Sequence, residues 1–263
     1  MNFLRYYVYI ITAVVLCACN CHESVTVTVV QYNVGAFHKY DASNPDAIAS
    51  AVKEMHADII SLNEVDSCTT RTGCTDQLSE FAGLMGEWNS FYARAIPYKG
   101  GAYGVGVASS PSYEVLRTDR ISLPRFDGKE FRAVALVEYE DFVFASTHLD
   151  LTYTSQMGQI AKINHYVDSL YSKSEKPVIL CGDFNCEPDS EQIKLMKDSW
   201  IMLSPEEFSY PSHAPIKCID YVFVRPNGRD ITVEYADVIP HLETADPATA
   251  SDHLPVVVRM TIK

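Results

Sequence analysis

Apolar positions along this chain change their period several times, and each change marks an element. Val25-Thr26-Val27-Thr28-Val29-Val30-Gln31-Tyr32 alternates and is β-branched, which predicts a strand. Asn44-Pro45-Asp46 predicts a helix start, with Asn44 as cap and Pro45 at the first helical position. Ala47, Ile48, Ala51, Val52 and Met55 continue that helix. Asp58-Ile59-Ile60-Ser61-Leu62 reads as a buried strand that delivers Glu64, and a short helix is predicted over 77–85.

From Trp88 to Thr147 the texture becomes a meander. Strand candidates at 89–95, 103–109, 113–121, 131–138 and 142–147 are separated by Gly, Pro and Asp turns, a spacing that indicates antiparallel sheet. A helix over 155–171 carries Ile160, Ile163, Val167 and Leu170 on one face. A strand at 177–182, a helix near 189–197 and strands around 219–224, 231–238 and 255–262 complete the pattern. No solenoid period and no Pro/Gly/Ser-rich linker is visible. Mixed strands with interspersed helices predict an α/β protein, two packed mixed β-sheets flanked by helices in a four-layer α/β sandwich. Periodicity alone does not separate this from other α+β arrangements.

Composition narrows the picture. At 263 residues and 47% hydrophobic, the chain can fill a sizeable core. Its net charge of -13 makes it a poor partner for a polyanion, because nucleic-acid affinity rests on Lys and Arg. The charge also argues against a polybasic membrane patch. At the N-terminus, Arg5 precedes an apolar stretch, 6–16, too short to span a bilayer comfortably. Leu16-Cys17-Ala18-Cys19 resembles a bacterial lipoprotein cleavage box. The expectation is therefore a signal peptide over 1–18, lipidation of Cys19, a short tether over 19–24 and a folded domain over 25–263. That address is the cell envelope, with the membrane reached through the lipid anchor; the alternative is an ordinary signal peptide cut nearby. An oxidising compartment would permit a bridge between Cys68 and Cys74. No Cys-x-x-Cys pair or His-Glu-x-x-His helix occurs, which argues against a structural or protease-type zinc site.

The candidate chemistry lies where apolar runs meet polar groups. Gln31-Tyr32-Asn33, Leu62-Asn63-Glu64-Val65, Ser146-Thr147-His148-Leu149-Asp150, Gly182-Asp183-Phe184-Asn185, Ile219-Asp220-Tyr221 and Ser251-Asp252-His253 each place an acid, amide or imidazole at such a junction. Strands converging on one sheet edge would gather these groups into a divalent-metal site for phosphate ester cleavage. That chemistry needs neutralised phosphoryl oxygens, an aligned water and help for the leaving group. Glu64 suits Mg²⁺, which prefers one or two carboxylates plus water. Asp183 and Asn185 lie two apart and would point the same way in an extended segment; a simple Asx turn is the alternative. An acid beside His253, and an acid able to pair with either His253 or His148, would fix a tautomer.

In this order and spacing, Asn33, Glu64, His148, Asp183-Phe184-Asn185, Asp220-Tyr221 and Ser251-Asp252-His253 resemble the endonuclease/exonuclease/phosphatase superfamily. The likeness covers nearly all of 25–263 and implies the four-layer sandwich and a Mg²⁺ cofactor, with Mn²⁺ as the alternative. It implies that Asn33 and Glu64 organise and ligate the metal, with Asp252 as a further acid close to it. Asp183 matches the acid that aligns or activates water. Asn185 and His148 match donors to the scissile phosphate, His253 the imidazole that stabilises developing charge, and Asp220 the acid orienting a catalytic histidine. Arg71 and Tyr103 sit at positions that could face substrate, as does Lys217. For Arg71 a solvated loop arginine is the competing reading.

Two departures stand out. Asn63 occupies the place of a common Gln, and Ser109-Ser110 that of a common Ser-Arg. Three functions follow: hydrolysis of a small or lipid-derived phosphate ester, nuclease activity, disfavoured by the charge, and a lipid-anchored binding protein with a degenerate site.

Overall fold

The computed structural model describes residues 23–37 and 45–263. The expected signal peptide, Cys19 and the Asn44 cap lie outside the described residues. Twelve strands are described: β1 (Val25–Asn33), β2 (Ile59–Ser67), β3 (Asn89–Tyr98), β4 (Gly101–Ser109), β5 (Arg117–Leu123), β6 (Arg132–Glu138), β7 (Val143–His148), β8 (Val178–Asp183), β9 (Ile201–Met202), β10 (Asp220–Arg225), β11 (Ile231–Val238) and β12 (Val256–Ile262). The helices are α1 (Pro45–Glu54), α2 (Gln77–Leu84), α3 (Tyr153–Tyr171), α4 (Glu191–Lys197) and α5 (Pro247–Ala250).

The strands form two six-stranded sheets, ordered β11-β12-β1-β2-β4-β3 and β5-β6-β7-β8-β10-β9. Each is mixed, with one parallel pair at its centre, β1/β2 in the first and β7/β8 in the second. The expected meander is antiparallel, but it is divided: β3 and β4 belong to the first sheet and β5, β6 and β7 to the second. No period in the sequence reports which sheet a strand joins.

Three apolar layers hold four structural layers together. Val27, Val29, Ile59 and Val107 of the first sheet meet Ala135, Phe144, Ile179 and Val222 of the second. Ile48 and Val52 of α1 and Leu78 and Phe81 of α2 cover the outer face of the first sheet. Ile160, Ile163 and Val167 of α3 and Ile193 and Met196 of α4 cover the second. Leu170, expected on that helix face, is 40% exposed and Tyr171 is buried instead. The apolar stripe follows 160, 163, 167 and 171, a three-four spacing that keeps to one side of a helix.

Period-two alternation then positions the site. On β1, Val27 and Val29 face the second sheet, so Gln31 and Asn33 do too. The same parity puts Ser61 and Asn63 on the inner face of β2, Ser146 and His148 on β7, Asp183 on β8 and Asp220 on β10. At one pole the inter-sheet layer therefore turns from apolar to polar. β1, β2, β7 and β8 end there, while β10 and β12, antiparallel to their neighbours, begin there. Asp220 accordingly opens its strand and Asp252-His253 precede theirs, whereas Asn33, His148 and Asp183 close theirs.

Candidate active site

The two sheets are laced at this pole by buried amides and hydroxyls. Asn63 Oδ1 accepts from Gln31 Nε2 at 2.6 Å and from the Asp183 backbone N–H at 2.9 Å. Its Nδ2 donates to the Thr147 carbonyl at 2.9 Å. Ser61 Oγ donates to Gln31 Oε1 at 2.6 Å and meets Ser146 Oγ at 2.7 Å. The shorter amide at position 63 therefore still bridges the sheets and fixes the Asp183 backbone. Gly182 is required by the same close approach: a Cβ there would stand 2.3 Å from the Thr147 carbonyl oxygen.

Asp183 is the hub. Its Oδ2 accepts from Asn33 Nδ2 at 3.1 Å and faces His148 Nε2 at 3.5 Å and His253 Nε2 at 3.7 Å. Its Oδ1 accepts the Asn185 N–H at 2.9 Å, an Asx turn. Asn185 is left-handed, φ 52°, so it does not continue the strand. The turn and the functional reading coexist, because that bend carries Asn185 Nδ2 to 3.0 Å from His148 Nε2 and 3.1 Å from the Leu149 carbonyl. Burial, and then the charge of Asp220, push the Asp183 carboxyl up to about 7, against the lowering influence of His253, Asn185 and Asn33.

The acid that pairs with an imidazole is now assigned: Asp220 Oδ2 lies 2.8 Å from His253 Nδ1. Ser209 Oγ donates to the same oxygen at 2.6 Å and Gln31 Nε2 to Oδ1 at 3.1 Å. Burial alone would lower the proton affinity of His253. The charge and hydrogen bond of Asp220, with Asp183 and Asp252, overrule it and raise the imidazole to about 9. The Tyr210 ring lies against it, centroids 4.7 Å apart.

Glu64 reaches the site through a β-bulge. The β2–β4 register shifts between Leu62 and Val65, and Glu64 takes φ 57°. A non-glycine residue in the left-handed region stores roughly 1–2 kcal/mol, a strain that concentrates at functional positions. Asn33 Nδ2 sits 3.3 Å from Glu64 Oε1, so one amide links Glu64 to Asp183. Glu64 and Asp252 both line the cleft. Two carboxylates and the Asn33 amide are hard oxygen donors, a set that fits Mg²⁺ or Mn²⁺ and not a thiolate-seeking metal. Asp183, Asp220 and His253 also offer atoms within 4.8 Å of one another. That trio is a poorer cage, because both Asp220 oxygens and His253 Nδ1 are already engaged in hydrogen bonds.

The cleft holds about 650 Å³ and is lined by Glu64, Tyr103, His148, Asp183, Asn185, Lys217, Asp252 and His253 among others. Burial, and then Glu64, raise the Tyr103 hydroxyl well above its usual range, so it stays a neutral donor. Arg71 is placed elsewhere. Its guanidinium forks onto Asp66 at 2.6 and 2.8 Å and lies over the Tyr98 and Tyr103 rings, and it does not line the cleft. Cys68 and Cys74 form a disulfide beside it. Sequence reasoning quoted Gln31 and Asp150 without giving them a role and missed Ser209, Arg132 and Glu187. Arg132 left a signal, a lone cation opening the apolar run of β6.

The profile of the Endonuclease/Exonuclease/phosphatase family matches residues 30–253. This chain belongs to that family. Its members are phosphoesterases and nucleases that depend on divalent metal, so the endonuclease/exonuclease/phosphatase chain described here is a phosphoric ester hydrolase. An endonuclease/exonuclease/phosphatase protein from Bacteroides vulgatus superposes with a TM-score of 0.75 at 16% identity, covering 91% of this chain and 100% of its own. A mannosyl-6-phosphatase from Bacteroides thetaiotaomicron gives 0.70 at 16%, covering 89% and 99%. ANGEL2, a 2′,3′-cyclic phosphatase, gives 0.69 at 15%, covering 90% and 95%. At such identities the likeness is one of fold. No curated protein sequence matches the chain.

Proposed function

We propose that this chain is an exported, Mg²⁺-dependent hydrolase of phosphate mono- or diesters, acting on a small or lipid-derived substrate. The observation that carries the reading is Asp183, whose Oδ2 stands between two imidazoles and the Asn33 amide at the floor of the cleft. Glu64, Asn33 and Asp252 are the residues that would hold the metal, which when bound supplies Lewis-acid neutralisation of the phosphoryl oxygens. Asp183 orients the attacking water and accepts its proton. Asn185 and His148 donate to the phosphoryl oxygens, and the His253 imidazolium, held by Asp220, faces the charge that develops there.

Substrate size and charge favour a small ester. A cleft of about 650 Å³ suits a metabolite-sized ligand. Among the described residues, its lining sets three Lys/Arg side chains, Lys129, Arg132 and Lys217, and the His253 imidazolium against six acidic side chains, Glu64, Glu130, Asp150, Asp183, Glu187 and Asp252. A polyanionic strand finds no basic track in such a lining. Two of the fold neighbours are phosphatases by name, which agrees with this choice. Export is supported by the apolar stretch before Cys19 and by the Cys68–Cys74 disulfide, a bond favoured in oxidising compartments.

The test is one panel: plasmid DNA, a phosphodiester chromogen, inositol phosphates, sphingomyelin and sugar phosphates. Each is run with Mg²⁺, with chelator and with Asp183→Asn. Chelator-sensitive turnover of a small or lipid-derived ester, lost by more than about 10⁴-fold in Asp183→Asn, supports the reading, since a lone acid–base group contributes ~10²–10⁴. Robust plasmid nicking at physiological salt would assign the chain to nucleic acid instead.

A further inference from the structure

Arg132 opens β6 with 7% of its surface exposed, and it lines the cleft beside His148. A guanidinium stays charged across the whole pH range of a folded protein. Burying such a charge costs several kcal/mol unless it is well paired. Here the pairing is incomplete. Glu130 Oε2 stands 3.4 Å away at the edge of ion-pair range, on a side chain that is itself 43% exposed. Nη1 approaches His148 Nδ1 at 3.4 Å, the guanidinium also hydrogen-bonds the Tyr103 hydroxyl, a neutral group that offsets none of its charge, and Nε has no hydrogen-bond partner among the described residues. Lys129 and Lys217, the other cations of the lining, are exposed. Among the described residues, the cleft thus has one buried permanent cation, and it adjoins a residue assigned to the scissile phosphate.

An under-compensated cation has a use that depends on the substrate's charge. A phosphate diester carries one negative charge, whereas a monoester carries nearly two above pH ~6. The metal, the imidazolium and the neutral donors serve both substrates alike. The second charge of the monoester must be held in a cleft lined by six acidic side chains. A buried arginine meets that need better than a solvated lysine, because its fork matches two phosphoryl oxygens and its charge is weakly screened.

We propose that Arg132 binds the non-bridging oxygens of a terminal phosphate dianion and makes this enzyme prefer phosphomonoesters over diesters. The inference rests on the hydrolase reading above. In the reaction, water attacks phosphorus, the phosphorus–oxygen ester bond breaks and the alcohol leaves with a proton. Arg132 transfers no proton and stays charged throughout, so its contribution is electrostatic.

The experiment compares two chromogenic substrates with the same leaving group, 4-nitrophenyl phosphate and bis(4-nitrophenyl) phosphate, on the full chain with Mg²⁺. Wild type should favour the monoester in kcat/KM. Arg132→Met should lower monoester kcat/KM by at least 100-fold and the diester value by under tenfold. Arg132→Lys should recover at least tenfold of the monoester loss by restoring charge. Inhibition by inorganic phosphate, read across pH 5 to 8, should strengthen as the dianion forms in wild type and lose that dependence in Arg132→Met. Melting curves establish that the variants fold. Should Arg132→Met unfold, Arg132→Lys and the wild-type phosphate profile carry the test: a flat profile overturns the proposal. Equal losses on both esters, or a wild-type preference for the diester, overturn it while leaving the hydrolase reading standing. Absence of chelator-sensitive turnover of either ester overturns both.

Discussion

Replacing Asp220 by asparagine separates charge from shape at the second imidazole. Three donors converge on the two Asp220 oxygens: His253 Nδ1 at 2.8 Å, Ser209 Oγ at 2.6 Å and Gln31 Nε2 at 3.1 Å. An amide keeps the volume but offers a single acceptor oxygen, so at least one donor must face an NH₂ group. A buried donor left unsatisfied costs about 1–3 kcal/mol, which for a chain of this size lowers the melting temperature by roughly 2–12 °C. The chemical effect is larger. Unit charges ~4 Å apart at an effective dielectric of about 20 interact by about 4 kcal/mol, equivalent to about three pKa units. His253 should therefore fall from about 9 to its ordinary value near 6.5 or below. At pH 8 the imidazole is then neutral and its tautomer no longer fixed. The expected loss in kcat is roughly 10³–10⁴-fold, the scale seen when an aspartate that orients a catalytic histidine becomes an amide. NMR titration of the His253 ring in metal-free protein reads the first effect, and ester hydrolysis from pH 6 to 9 reads the second. A His253 that still titrates near 9 in Asp220→Asn, or a kcat within tenfold of wild type, would refute the reasoning.

Two further outcomes follow from the same geometry and a third from the N-terminal sequence. Asp183, raised to about 7, gives the metal-free fold stability that is complete below its unfolded value near 3.9 and lost as pH rises through 7. His253, raised to about 9, adds stability that is complete below about 6.5 and lost as pH rises through 9. Chelated protein should thus melt lower at pH 8.5 than at pH 5.5, and Asp183→Asn should flatten the lower half of that slope; a rising melting temperature would contradict the assignment. Glu64→Gln should weaken Mg²⁺ binding by more than about 30-fold in calorimetry, roughly 2 kcal/mol for a charged ligand made neutral, and unchanged affinity would move the metal elsewhere. Cys19→Ser should abolish incorporation of labelled palmitate and release the protein from the membrane fraction; persistent labelling would refute lipidation there.

The site was readable in the sequence wherever a polar residue ended an apolar run, because strand parity carries that residue to the inner face. His148, Asp183 and Asp220 were found in this way, Glu64 stands at such a junction but arrives by a β-bulge, and the structure brings all four to one pole. The partner of Asp220 was not readable, since 33 residues separate it from His253 and 72 from His148, and only sheet packing chooses between them. Gln31 and Ser146 received no role for the opposite reason: within strand runs they look like minor interruptions, yet they bond across the two sheets, to Asp220 and to Ser61. The division of the meander between sheets was likewise silent, because an antiparallel strand has the same pattern in either one. Arg71 could not be placed from its loop position alone, because its Nε and Nη2 fork onto Asp66, a pairing that no period in the sequence reports.

The pairing of β1 with β12 sets a direction for the whole molecule. Val25 lies opposite Ile262, so both ends of the folded chain meet at one pole. The polar cluster begins at Asn33, at the other end of β1, roughly 26 Å away at about 3.3 Å per residue. A molecule leashed to a bilayer ahead of Val25 would hold its mouth toward the aqueous side, with the body of the protein as a spacer. Esters diffusing past the surface would then reach the cleft more readily than those embedded in the membrane beneath it.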